Sequence, residues 1–237
     1  GAGHEETRLH EQARQRRVVQ HVVDYLMSCI VYHFHDTSSS ARLRKTCDVN
    51  DNRTLRPDAS NLAAFLYYLR EVHSLHYRNI VDTVHMVAPF FKDFVLEPSR
   101  LSPQKIQLEW SHTGSDAYFN AGSLSDGSLR FICLATLLLQ PTLPSTILLD
   151  EPELGLHPHA IGVVSEMLSS AADKTQLIVS TQSVTLVNQL QPKDLVVVDR
   201  VENATVLRRI DKDDMTEWLE YYGLGDLWEK NLLGGTP

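Results

Sequence analysis

Two adjacent carboxylates, Asp150 and Glu151, follow the apolar run Ile147-Leu148-Leu149. At the carboxyl end of a buried parallel strand, the edge where open α/β sheets hold their ligands, such acids must be solvated or paired, because burying an isolated charge is expensive. A divalent cation and a phosphate chain meet that need. Asp150 would hold Mg²⁺, directly or through water, and Glu151 would orient or deprotonate the water that attacks a γ-phosphate. Without a ligand, the same pair simply ends a strand and enters a turn at Pro152. A second group, Leu124-Ser125-Asp126-Gly127-Ser128, stands immediately before the apolar stretch from Leu129 to Gln140. Hydroxyls and free backbone N–H groups at a helix start attract phosphate, and Gly127 lets the backbone approach an anion. The alternative is a helix start capped by Ser125 or Asp126 with no ligand.

The elements around these groups must place them. Leu129 to Gln140 is apolar nearly all round, which predicts a buried helix. Thr146 to Leu149 reads as a strand, Pro158 to Ala171 as a helix, Gln176 to Ser180 as a strand, Val184 to Leu190 as a helix and Leu195 to Val198 as a third strand. That alternation predicts parallel pairing with crossover helices, and Thr205 to Ile210 a hairpin edge on the third strand. Upstream, Val18, Val19, Val22, Val23, Leu26, Met27 and Ile30 recur at helical spacing, so Glu11 to Ile30 should be an amphipathic helix packed on something. Val31 to His35 reads as a strand and Asp36 to Pro57 as a long polar loop. Ser60 or Asn61 can cap a helix to Val72, and helical spacing continues from His73 to Phe91 with Pro89 ending it. Short strands are expected at Phe94 to Glu97, Lys105 to Trp110 and Asp116 to Asn120, the last two joined as a hairpin through His112 to Ser115. From Asp211 on, Trp218, Leu219, Tyr222, Leu224, Leu227 and Trp228 suggest two short amphipathic helices.

The composition sets outer bounds. A chain of 237 residues holds one large domain or two small ones. A net charge of −8 argues against a general nucleic-acid binder, which carries a basic stripe. Cys29, Cys47 and Cys133 are scattered, and the first and last fall in predicted apolar helices, so buried reduced thiols and a cytoplasmic setting are expected. No apolar run reaches the length that spans a bilayer, roughly 18 residues or more. The start at Gly1-Ala2-Gly3 reads as a cut edge.

In order and spacing, these features resemble the ATP-binding-cassette type of ATPase, in the branch with SMC-like and RecF-like proteins and many bacterial predicted ATPases. Leu124 to Ser128 matches the signature loop, Ile147 to Glu151 the Walker B strand, and Glu153-Leu154-Gly155-Leu156-His157-Pro158 the D-loop. Ile178-Val179-Ser180-Thr181-Gln182-Ser183 stands where the switch strand lies. The ordered motifs cover Gly122 to Asn188, with weaker likeness at His33-Phe34-His35-Asp36, Arg56 to Leu66 and Trp218 to Gly235. The resemblance implies an α/β P-loop NTPase fold: a helical and β-hairpin portion over 1–120, an ATPase core over 121–210 and a helical tail over 211–237. It implies ATP and Mg²⁺, Asp150 on the metal, Glu151 as catalytic base and Gln182 sensing the γ-phosphate. It also implies a homodimer that closes on ATP, with Leu124, Ser125, Asp126, Gly127 and Ser128 completing the partner's site. Glu153, Leu154, Gly155, Leu156 and His157 would lie at that interface.

Three departures matter. Gln182 stands where the family carries His; an amide donates a hydrogen bond but carries no proton, which predicts slow or conditional turnover. Asp126 puts a negative charge beside a phosphate site, to be offset by the helix dipole or by Mg²⁺. No Gly-x-x-x-x-Gly-Lys-Ser/Thr loop precedes Lys45-Thr46 or Lys174-Thr175, so a Walker A loop is expected in a segment upstream of Gly1. Two rivals remain: a non-hydrolysing, nucleotide-dependent dimerisation module, and an ATPase acting with nucleic acid in repair or phage defence. Other groupings carry less. His33, His35 and Asp36 read as strand residues beside a loop, His157 and His159 as D-loop residues, and Arg14, Arg16 and Arg17 as a solvated helix face. Ser123 and Ser125 do not form a Gly-x-Ser-x-Gly elbow.

Overall fold

A computed structural model describes residues 17–210 and 222–235. Glu11 to Arg16, with Arg14 and Arg16, and the tail residues Trp218 and Leu219 lie outside the described residues. The elements in chain order are α1 (Arg17–Met27), β1 (Cys29–Tyr32), β2 (Cys47–Asp48), α2 (Leu62–Val72), α3 (Ser74–Val87), β3 (Phe91–Val95), β4 (Lys105–Ile106), β5 (Glu109–His112) and β6 (Tyr118–Asn120). They continue with α4 (Asp126–Leu139), β7 (Thr146–Asp150), α5 (Pro158–Ala172), β8 (Gln176–Ser180), α6 (Val184–Val187), β9 (Val196–Val201), β10 (Ala204–Arg209) and α7 (Leu224–Glu229).

The carboxylate-bearing strand β7 lies at the centre of a parallel sheet ordered β1-β7-β8. Its crossover to β8 is α5. Side chains alternate along each strand, so Ile30 and Tyr32, Ile147 and Leu149, and Leu177 and Val179 share one face. That face meets α4 and α5 in one continuous core, where Ile147, Phe131, Cys133 and Val164 are sealed from solvent. α4 is buried nearly all round, as its composition requires.

The opposite face is bare along its middle. Val31 pairs with Leu148 and Leu148 with Ile178, yet Val31 is 42% exposed and Ile178 50% exposed. Parallel sheets are normally covered on both faces. Among the described residues the cover lies at the amino end: Tyr25 of α1 donates to Gln176 Oε1 at 2.7 Å and accepts from Thr146 Oγ1 at 3.3 Å. Val23 of α1 is buried, while Val18, Leu26 and Met27 remain exposed, so the amphipathic helix presents apolar surface that the described residues do not cover. Among the described residues β8 pairs on one edge only.

Several expectations shift. The first strand is Cys29–Tyr32 rather than Val31 to His35, because His33 N is drawn off to Pro57 O at 2.9 Å; Cys29 is accordingly a half-buried strand residue, not a helical one. The polar loop after Asp36 is tied down by Leu43 and Leu55, both buried, and by Asn61. Asn61 stands at the N-cap of α2 but does not cap it. Its amide donates to Asp51 O and Thr54 O, each at 2.8 Å, and accepts from Arg56 N. Lys105 to Trp110 divides in two, because β4 pairs with β2 while β5 joins β3 and β6. The β5–β6 hairpin forms as predicted.

The third strand departs most. β9 does not join the parallel sheet but pairs antiparallel with β10. Its inner face finds cover elsewhere: Val197 packs with Leu224, Leu227 and Trp228 of α7 in a small separate core. α6 is a single turn, Val184–Val187, too short to carry a crossover helix's apolar face. No helix among the described residues is long and apolar enough to cross a membrane.

All three cysteines are free thiols, with Cys133 fully buried. Burial pushes its thiol up to about 12. Thiolate, not thiol, reacts with alkylating agents, so at pH 8 iodoacetamide should label Cys133 only after denaturation and half-buried Cys47, whose thiol burial also raises, more slowly in the folded protein than in the denatured one; mass spectrometry of digests checks this. The shift at Cys133 makes stability fully present below the thiol's ordinary range and lost as pH climbs toward 12, since the unfolded thiol ionises first.

Candidate functional site

β7 delivers Asp150 and Glu151 to the carboxyl edge of the parallel sheet, as its apolar run and parallel neighbours require. Asp150 is exposed and opposes Ser180 across the ladder, whose hydroxyl donates to Asp150 Oδ1. Glu151 leaves the strand with φ of 40°, a left-handed conformation that costs a side-chain-bearing residue about 1–3 kcal/mol. Two hydrogen bonds hold it there: Glu151 N donates to Ser180 O at 2.9 Å, and Leu154 N donates to Glu151 O at 3.1 Å. The strained turn lifts the carboxylate toward the end of β8, where Gln182 Nε2 donates to Glu151 Oε1 at 2.9 Å. The structure thus joins directly two residues that stand 31 positions apart.

The D-loop turn follows. Glu153 is only 8% exposed; its Oε1 accepts from Thr181 Oγ1, and Oε2 has no partner among the described residues. Leu156 N donates to Glu153 O at 3.0 Å, Gly155 takes φ of 73°, and Leu154 is partly exposed. His157 caps α5, its Nδ1 accepting from His159 N at 3.2 Å.

Ser125 is the N-cap of α4. Its Oγ accepts from Ser128 N at 3.1 Å and donates to Ser128 Oγ at 2.9 Å, so both hydroxyls are engaged within the loop. Leu124 is buried. The negative charge on Asp126 has a partner that sequence reasoning missed: Arg44 Nη2 meets Asp126 Oδ1 at 2.8 Å. The Arg44 side chain is 8% exposed against 66% for Asp126, and it also donates to Thr37 O at 2.8 Å and to Ala121 O. Gly127 makes its close approach to the D-loop: a Cβ there would lie 2.5 Å from Gly155 O. Among the described residues no hydrogen bond joins Ser125 or Ser128 to Asp150 or Glu151.

At the carboxyl ends of β1 and β7, against α4, lies a small depression whose lining includes Tyr32, His35, Arg130, Asp150 and Glu151. His33 and His35 face each other with ring centroids 6.5 Å apart, and no group of three or more metal-binding side chains forms among the described residues. Arg44, Arg130 and Thr181 carry no sequence signal of their own. Arg44 sits 82 residues from Asp126 and Arg130 sits 95 from His35, so only the fold brings them together.

A protein-family model described as "AAA domain, putative AbiEii toxin, Type IV TA system" matches residues 34–188. No curated protein matches the chain. Among solved structures, an Smc head bound to the C-winged helix domain of ScpA is 14% identical with a TM-score of 0.52, over 79% of this chain and 57% of that one. An Smc head domain with an extended coiled coil, bound to the C-terminal domain of ScpA and derived from Pyrococcus furiosus, is 13% identical with a TM-score of 0.50, over 89% of this chain and 50% of that one. The chain therefore spans little more than half the length of these structures. At such identity the likeness concerns the fold, an α/β P-loop NTPase type with a parallel sheet flanked by helices and accompanied by antiparallel sheets.

Proposed function

The chain belongs to this AAA-domain family of ABC/SMC-like P-loop ATPases, and on that premise we propose that it binds and hydrolyses ATP in a homodimer that sandwiches the nucleotide. The observation that carries the reading is the Gln182–Glu151 hydrogen bond at the carboxyl edge of the parallel sheet, beside Asp150. Glu151, held in its strained turn, takes the proton of the attacking water. Gln182 fixes that carboxylate and donates to the γ-phosphate when it is present. Having no proton to exchange, the amide senses the phosphate by hydrogen bonding alone, which favours slow turnover. Asp150 and the Ser180 hydroxyl offer hard oxygens of the kind Mg²⁺ takes, and a bound ion would neutralise phosphate charge. Asp150 would hold it. Ser125 to Ser128 at the start of α4 would face the partner's nucleotide, with Arg44 offsetting Asp126.

The phosphate cradle of the subunit's own site would come from a segment preceding Gly1. Support for this lies in the sheet itself: among the described residues β8 has an open edge, and Val31 and Ile178 are exposed on one face, as expected where a further strand and helix belong. Titration calorimetry with Mg-ATP tests it. A protein extended at its N-terminus to include the Gly-Lys loop should bind ATP at micromolar concentrations, about −8 kcal/mol, and residues 1–237 alone should bind at least about 100-fold more weakly, or about 2.7 kcal/mol less. Equal affinity of the two would sink the proposal of an upstream cradle.

A further inference from the structure

Arg130 lies in α4 and points its guanidinium away from the helix into the junction of three segments. Its Nε donates to Phe34 O at 3.1 Å, its Nη2 to His35 O at 3.0 Å and its Nη1 to Leu154 O. Among the described residues it forms no ion pair. A planar fork of five donors suits this task, because three carbonyls on two separate segments must be reached at fixed angles. Directly beside it, Gly155 takes φ of 73°, which favours glycine, and a Cβ there would stand 2.9 Å from Arg130 Nη1, so that the guanidinium would have to shift. The Gly155 carbonyl in turn presses on Gly127 at the start of α4.

These contacts form a physical chain. The start of α4 touches the D-loop through Gly127 and Gly155, and Arg130 locks that contact. The next D-loop residue inward, Glu153, is bonded to Thr181, whose Oγ1 also accepts from Ser183 N at 3.0 Å. Gln182, between Thr181 and Ser183, holds Glu151. We propose that Arg130 is a positioning residue that fixes the Leu154-Gly155 turn against α4. Through it, the loop offered to a partner subunit and the carboxylates of the same subunit's site move as one body. The functional half of this inference rests on the dimeric ATPase reading; the positional half does not.

The test is Arg130→Lys, which keeps the charge but reaches as a single point. Amide hydrogen exchange on residues 1–237 should show peptides covering Leu154 to Leu156 exchanging at least about tenfold faster, with peptides from α5 changed by less than about twofold. Unchanged exchange at the turn overturns the positional role, as does equal acceleration across α5 and β7, which would mark a general loss of stability. In protein carrying the phosphate loop, kcat should fall about tenfold while the KM for ATP stays within about threefold, the pattern of a lost transition-state alignment. A kcat equal to that of the wild type overturns the functional half. If that wild type shows no turnover at all, the ATPase reading fails, and the exchange result still decides for or against the positional role of Arg130.

Discussion

Replacing Glu151 with Gln should lower steady-state ATP turnover about 100- to 10,000-fold in protein that carries the phosphate loop, the range for removing a general base. The substitution is nearly isosteric. The introduced amide oxygen can still accept from Gln182 Nε2, so the 2.9 Å contact and the left-handed turn at position 151 have no reason to change. What is lost is the ability to take a proton from water. Binding should therefore survive, and the ATP-bound dimer should accumulate instead of cycling. Phosphate release measures the first effect and sedimentation velocity with ATP the second. Turnover at the wild-type rate would show that the base lies elsewhere, and undiminished dimer dissociation would show that hydrolysis does not drive opening.

Gly127→Ala should destabilise the protein by about 1–3 kcal/mol, the usual penalty of forcing one extra carbon into a filled space. The obstacle is backbone, the Gly155 carbonyl at 2.5 Å, so no side chain can rotate away. Either α4 or the D-loop turn must shift, and Arg130 ties both. For a chain of this size, each kcal/mol lowers Tm by about 2–4 °C. Gly162→Ala is the control: it lies inside α5, its Cβ would meet nothing within 4 Å, and Ala is the better helix former by about 1 kcal/mol. The two variants should therefore move Tm in opposite directions, as read by calorimetry. If Gly127→Ala melts with the wild type, the close approach between the two turns does not exist in solution.

How far the sequence revealed this arrangement depended on range. Local patterns were legible: the apolar ring of α4, the short apolar runs of β7 and β8, the cap at Ser125 and the β5–β6 hairpin all follow from residues within one turn or one strand. The acid pair and Gln182 stood out by type, and the structure places Gln182 on Glu151. What stayed hidden is held together over long separations. Nothing in Cys29–Tyr32 announces β7 as its neighbour, and nothing in Arg44 or Arg130 announces the carbonyls they bind. β9 misled because its alternation of strand and helix looked like its predecessors', whereas Val197 on its inner face packs with α7, a competitor some 25 residues further on and invisible to periodicity, and Val196, Val198 and Val201 stay exposed. Gly127 was read as making room for an anion; within the chain it makes room for Gly155.

The order β1-β7-β8 also sets a schedule for synthesis. Ser28 and Ser145, which meet at the foot of the sheet, are 117 residues apart. At about 5–20 residues per second, β1 waits on the order of ten seconds before its partner strand leaves the ribosome. Throughout that interval Ile30, Val31 and Tyr32 have no sheet to join, so the nascent chain carries an unpaired apolar strand until β7 has been made.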